Sequence, residues 1–382
     1  MWERAGVAFS GTVLFVVACA SPAPAPTPVT VPAQPPPVAA ASARPAASST
    51  PIAAPPSAAT TRIALLSTSM PLCGLDAEGN EWTWNQARFE KTKATVPNAR
   101  TYACAGTHSC ATTSDGKAYC WGNGGYGKLG NGTEAFRETP TLVAGISDVA
   151  EIGVDNERTC ARTTSGDVYC WGDSEFGKAG DGRMPDNVGR EKLLPGKAIL
   201  SGAATLAVGS THACSVLNDG RLSCWGQNTW GATGQPLSTR YVPRPAIVPK
   251  RKGVTSVFTG SSITCSITAG HVDCWGGGEN GVAGSITLPE PAVEVAIGWE
   301  QHACARLASG AVMCWGDNEN GELGDGTTTS RKTPVEVKGL RALGKATRIA
   351  ADGETSCALL EGGRVICWGK DMQQNEEPRR PR

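Results

Sequence analysis

The sequence carries no excess of either charge. Its 382 residues hold 35 Lys and Arg against 35 Asp and Glu, and only 18% are charged. With no net basic field to hold phosphates, nucleic acid is not expected as a main partner. Histidine is scarce, at four residues. No Gly-x-Ser-x-Gly elbow, phosphate-binding loop or His-Glu-x-x-His pair occurs. The acidic residues are scattered, with no clear pair placed for acid–base work. Asp317 to Gly321 has the look of a calcium loop, but it puts Gly where a ligand is needed and lacks the final Glu. No cofactor and no resident metal are therefore expected. What the sequence has in quantity is glycine, at 47 residues, and cysteine, at 15. So many cysteines point to an oxidising compartment.

The apolar stretch Ala5 to Ala18 is shorter than the roughly 20 residues a spanning helix needs, and suits the hydrophobic part of an export signal. It ends in Val16-Val17-Ala18-Cys19, which resembles the bacterial lipobox. The resemblance implies cleavage after Ala18 and a lipid on Cys19. Ala20 offers no inner-membrane retention signal, so an outer-membrane anchor is expected, with the lipid as the only membrane contact. The alternative is an ordinary secretory signal cut near Ala20 or Ala23. Residues 20–60 contain twelve prolines and the single charge Arg44. Such a stretch cannot bury a core and forms an extended tether with a reach on the order of 100 Å. The expected organisation is signal peptide 1–18, lipidated cysteine and linker 19–60, folded domain 61–370 and polar tail 371–382.

The folded part repeats. Cys-Trp-Gly begins at Cys120, Cys170, Cys224, Cys274, Cys314 and Cys367, and a second cysteine precedes each by nine or ten positions: Cys110, Cys160, Cys214, Cys265, Cys304 and Cys357. A degenerate unit at the front has Cys73 and Trp84 in the matching places but Thr83 where the second cysteine belongs. Seven units of this size are blade-sized. Between the paired cysteines the pattern is a hairpin, as in three residues, Ser114-Asp115-Gly116, and three more. Glycine closes the loop where positive φ is required. The fifth unit has the two-residue loop Ala269-Gly270. Either length leaves the two cysteines opposite each other at about 4.5 Å between Cα atoms, within disulfide range. Six bridges are expected: Cys110–Cys120, Cys160–Cys170, Cys214–Cys224, Cys265–Cys274, Cys304–Cys314 and Cys357–Cys367. Cys73 and Cys104 remain, and a bridge between them would tie the first unit to the second. Zinc sites favour two to four residues between ligands, which this spacing does not offer. His108, His212 and His302 each stand two before a first cysteine, where the other full units have Arg158, Ile263 and Thr355. Because the position recurs with the repeat, a structural hydrogen bond is favoured over metal binding.

The unit Gly-x-x-His-x-Cys-Ala…Asp-Gly-x-x-Tyr-Cys-Trp-Gly…Gly-x-x-Gly-x-Gly-Thr…Pro resembles the repeat of the regulator of chromosome condensation family. The second unit carries it most fully, from Gly106, His108 and Cys110 through Asp115-Gly116 and Tyr119 to Gly122, then Gly127, Gly130 to Thr133 and Pro140. The sixth matches through Gly324 to Thr327 and Pro334. The resemblance covers about residues 62–370. It implies an all-β fold, a seven-bladed β-propeller of four-stranded blades. It also implies closure by an N-terminal strand, from Thr61 to Ser67, paired with the last blade. The family's best-known member is a nuclear exchange factor for a small GTPase on chromatin. The export signal, the paired cysteines and the neutral charge argue against that role here. Secreted bacterial relatives include an inhibitory protein that binds β-lactamase, a likeness at fold level only.

Equivalent loops lie on one face of a ring. Five residues after each repeat tryptophan come Phe89, Tyr126, Phe176, Trp230, Asn280, Asn320 and Gln373. Aromatics in four consecutive units would form one arc, serving an interface or sugar stacking, or else packing under the blade. Trp299 is a further loop candidate. A non-catalytic, monomeric binding protein for a protein or glycan is therefore expected. The alternatives are an inhibitor of a secreted enzyme, or a hydrolase or lyase using the central funnel. The enzyme alternative requires His108, Arg158, His212 and His302 to converge at the axial mouth.

Overall fold

The computed structural model describes residues 63–67, 72–85, 88–184, 191–278, 282–298 and 301–370. Cys19, the export segment, the Pro-rich linker, Trp299 and the polar tail lie outside them. The chain divides into two units, Met1–Ser48 and Ser49–Arg382, and all described residues belong to the second.

Seven antiparallel sheets follow one another along the chain, each in simple up-and-down order. Together they make a seven-bladed β-propeller. The second blade shows the plan: Ala99–Cys104 is innermost, then His108–Thr113, Ala118–Gly122 and Arg137–Leu142 at the rim. The last blade has three strands among the described residues, Ala346–Asp352, Thr355–Leu360 and Val365–Gly369.

The second strands are buried almost throughout, His108–Thr113 at every position, because neighbouring blades cover both faces. Small residues, Cys, Ala, Ser and Thr, recur in them. The repeat tryptophans fill the seams. Trp171 of blade 3 packs against Cys110, Cys120, Leu129 and Val143 of blade 2. The approach is so close that a Cβ on Gly130 (φ +66°) would lie 2.6 Å from the Trp171 indole nitrogen. This requires the repeat's Gly at that position.

Each cysteine pair stands in direct register, Cys110 opposite Cys120 and likewise in the other five units. The six hairpin pairs are bonded, with Cα atoms 4.0–4.1 Å apart. Cys73 faces Thr83 in register and is bonded instead to Cys104 of the next blade, with Cα atoms 6.5 Å apart. The tight hairpins, exemplified by Gly116 at φ +75°, define one face of the ring, the hairpin face. The links between first and second strands and between third and outer strands define the opposite, loop face.

Ring closure differs from expectation. Ile63–Leu66 pairs with Cys73–Asp76 as the innermost strand of the first blade, not as an added strand of the last. It takes the place that Ala99–Cys104 holds in the next unit, so the repeat keeps its phase. Contact with the last blade is made by the Ile63 amide, which donates to the Gly363 carbonyl at 2.9 Å. Ile63, Leu66 and Leu72 also pack against Ala350, Cys357 and Leu359. The innermost strands surround a central channel containing a cavity of about 390 Å³.

Candidate functional site

The three repeat histidines do not meet at the channel mouth. Each is buried in its own seam between blades. His108 Nε2 lies 2.8 Å from the Thr159 hydroxyl, His212 Nε2 2.6 Å from that of Thr264, and His302 Nε2 2.9 Å from that of Ser356. Those hydroxyls already donate to the carbonyls of Lys128, Ala232 and Glu322. A hydroxyl has one proton, so the ring nitrogen must donate and Nε2 carries the hydrogen. The indoles of Trp171, Trp275 and Trp368 donate to the same three carbonyls. Histidine, hydroxyl, carbonyl and tryptophan thus form one relay across each seam. Burial pushes His108 and His212 down to about 3, and His302 down to about 4. All three are neutral near pH 7 and unsuited to proton transfer there.

The exceptions follow the same logic. Blade 4 has Ala213 where Thr159 stands in blade 3. The residue facing it, Arg158, is fully buried and bonds the Lys178 carbonyl itself, together with the Gly209 carbonyl at 2.9 Å and Asp155 at 2.7 Å. Blade 6 has Ala303, and it is faced by the apolar Ile263. The first blade lacks the loop that supplies the carbonyl. The buried Glu81 carboxylate takes its place, accepting from Trp121 at 3.0 Å and Ser109 at 2.6 Å. Thr92 and Tyr102 add two further hydrogen bonds at 2.7 Å. Glu81 was not singled out from the sequence, although the degenerate first unit marked where a substitute was needed.

The aromatic position behaves differently. Tyr126, Phe176 and Trp230 sit at the equivalent place on the loop face of blades 2, 3 and 4, each in a left-handed backbone conformation, with φ of +61°, +57° and +53°. That conformation costs a bulky L-residue about 1–2 kcal/mol. Tyr126 and Phe176 are half-buried. Phe176 stacks on Tyr241 of blade 4, with ring centroids 5.3 Å apart. Trp230 is 63% exposed, over Gly278 of blade 5. Its neighbour Leu237, which sequence reasoning passed over, is 73% exposed. Phe136, Met184, Leu193 and Leu194 are also exposed in blades 2 and 3. The arc begins at blade 2, not blade 1. Phe89 lies in the strand Arg88–Thr95 opposite Trp84, because only two residues join that strand to the one before it. The Phe89 side chain and all of Trp299 lie outside the described residues.

The channel holds charges that sequence reasoning also missed. Glu151 pairs with Arg162 at 3.0 Å, and Glu294 pairs with Arg306 at 2.7 Å and with Arg348 at 3.3 Å. The readable signal is Cys-Ala-Arg, present at Cys160 and Cys304, with a Glu nine or ten residues before each cysteine.

Known proteins carry the same repeat. Two family models, both described as the regulator of chromosome condensation (RCC1) repeat, match residues 156–178, 204–231 and 292–322, and residues 115–156 and 309–359. The chain is similar to the mitochondrial RCC1 domain-containing protein RUG3 of Arabidopsis thaliana, at 27% identity over 78% of this chain and 64% of the relative. It is similar to the E3 ubiquitin-protein ligase HERC2 of Homo sapiens at 31% identity, over 71% of this chain and 4% of that one. It therefore spans less than two thirds of either relative's length. Among solved structures, Prp20p of Saccharomyces cerevisiae superposes with a TM-score of 0.63 at 17% identity, over 79% of this chain and 82% of that one. That likeness is one of fold.

Proposed function

The chain carries RCC1 repeats and belongs with the RCC1-like propellers, and from that premise we propose that it is a non-catalytic binding protein holding a protein partner on the loop face of blades 2 to 4. One observation carries this: an aromatic is kept in a costly left-handed conformation in three consecutive blades, and in blade 4 it projects into solvent. Packing accounts for Phe176 against Tyr241. It gives no reason for Trp230 and Leu237, which would be more stable as polar residues. Rigid aromatics beside exposed leucines are the usual anchors of protein interfaces. The yeast neighbour Prp20p binds Gsp1p and histones. Protein binding is what we carry over, not those partners, since this chain has no basic excess.

Export and lipid anchoring at Cys19 complete the proposal. They rest on the Val16 to Cys19 motif and on cysteines paired as an oxidising compartment requires. The first described strand starts at the hairpin face, where Ile63 meets Gly363.

The test is a pull-down with the purified propeller from the organism's exported proteins, run beside Trp230→Asn. Asn suits the left-handed backbone and is the residue at this position in units 5 and 6. A partner retained by the wild type and lost by the variant supports the proposal. A partner held equally by both moves binding off this face.

A further inference from the structure

Around the channel, the residues of the innermost strands that face the axis near the hairpin ends occupy one repeat position. In blades 2, 3, 5, 6 and 7 it holds Thr101, Glu151, Ser256, Glu294 and Arg348, each set just after the same register shift. Arg306 joins from a second strand and Arg100 adjoins Thr101 at the cavity wall, while Arg162 pairs with the wall residue Glu151 without itself lining the cavity. Four guanidiniums therefore meet two carboxylates at this end of the channel, which leaves an excess of two positive charges.

The arrangement of the pairs matters as much as the count. Arg162 and Arg306 each use the Nε edge on a carboxylate. Glu294 is 2% exposed and serves both Arg306 and Arg348, one on each oxygen. Arg348 is more than half exposed and, among the described residues, shares its one carboxylate partner with Arg306. Its charge is also felt by Glu151, on blade 3, although Arg348 itself belongs to blade 7. Arg100 is exposed and has no ion-pair or hydrogen-bond partner among the described residues. A cavity of about 390 Å³ falls within the range of small-molecule sites. Planar guanidinium forks are suited to carboxylate and phosphate oxygens.

We propose that the hairpin-side half of the channel is a binding site for a small dianion, a dicarboxylate or a phosphate compound, held by Arg100 and Arg348. Arg306 and the two glutamates form its fixed wall, with Glu151 held in place by Arg162. The Ser256 hydroxyl stands at the equivalent position of blade 5 as a further donor. This site lies at the opposite end of the blades from Trp230 and is independent of the protein-binding face.

The experiment is calorimetric titration of the full chain with succinate and, separately, with inorganic phosphate, at low ionic strength. We expect one dianion to bind per chain. Arg348→Gln and Arg100→Gln should each weaken it about tenfold or more, the loss of roughly one charge-assisted contact. Preference for succinate assigns a dicarboxylate and preference for phosphate assigns a phosphate group; either supports the proposal. Failure of both to bind at millimolar concentration overturns it, as does unchanged affinity in Arg100→Gln. Arg100 is exposed and outside every ion pair among the described residues, so its replacement leaves the fold intact and that arm decides even where Arg348→Gln is unstable.

Discussion

Two repeat positions stand within twenty residues of each other in every full unit, and they came to opposite ends. The histidine position is buried, and five of its six occupants are matched to a residue in the following blade: His108 to Thr159, His212 to Thr264, His302 to Ser356, Arg158 to Ala213, Ile263 to Ala303. At the aromatic position Phe176 has a stacked neighbour in Tyr241 of the next blade. Trp230 combines an unfavourable backbone with exposure. A position whose identity tracks its neighbour around the ring is explained by the ring. A position that costs stability without such a partner points outward, to something the ring does not contain.

Acid should pull the two positions apart most strongly, because it titrates the buried histidines and leaves the aromatic position untouched. The folded-state values of the three histidines lie at about 3 to 4, below the ordinary 6.5. Between those values the unfolded chain binds more protons than the folded one. The stability is therefore complete above pH 6.5 and drains as pH falls toward 3–4. At pH 5 each histidine should have lost about 2 kcal/mol, so the three together lose about 6 kcal/mol. Urea denaturation at pH 7.5 and pH 5 measures this. A stability unchanged between them would show that the seams are not built on neutral histidine.

Next in size is Glu81→Ala, which strands four donors in the first seam. The expected loss is about 3–5 kcal/mol, and Glu81→Gln should recover part of it because an amide still accepts. Replacing Cys110 and Cys120 together by Ser should cost about 2–3 kcal/mol, since each bridge closes a short loop. The melting temperature of each variant reports these losses. Stability should change least in Trp230→Asn, which should match wild type or gain up to about 1 kcal/mol as the left-handed strain is relieved. Phe176→Asn should cost more, because its stacked partner Tyr241 loses the ring.

The fold was legible because the repeat states it seven times, and the cysteine pairs set their own register. The closing strand was misplaced for lack of any cysteine or tryptophan in Ile63–Leu66 to show which blade it joins. The seam partners were legible in principle, since Thr159, Thr264 and Ser356 each stand one before a first cysteine in the unit after a histidine. They emerge only when each unit is compared with the next, not with itself. Phe89 was drawn into the arc because counting from Trp84 ignores the missing loop. The cost at Tyr126, Phe176 and Trp230 could not be read from residue type, because the repeat's glycines suggested that left-handed turns were reserved for Gly. The channel charges come from four blades and converge only when the ring is closed.

On the proposed function, exposed Trp230 is kept for a partner, while the buried repeat residues are kept for the ring. This distinction is tested by the affinity of the captured partner for wild type and for Trp230→Asn, measured with the melting temperature of the same samples. A fall in affinity of about a hundredfold, near 3 kcal/mol, at an unchanged or raised melting temperature is the predicted result. A lowered melting temperature with unchanged affinity would contradict it and return Trp230 to the packing of the blades.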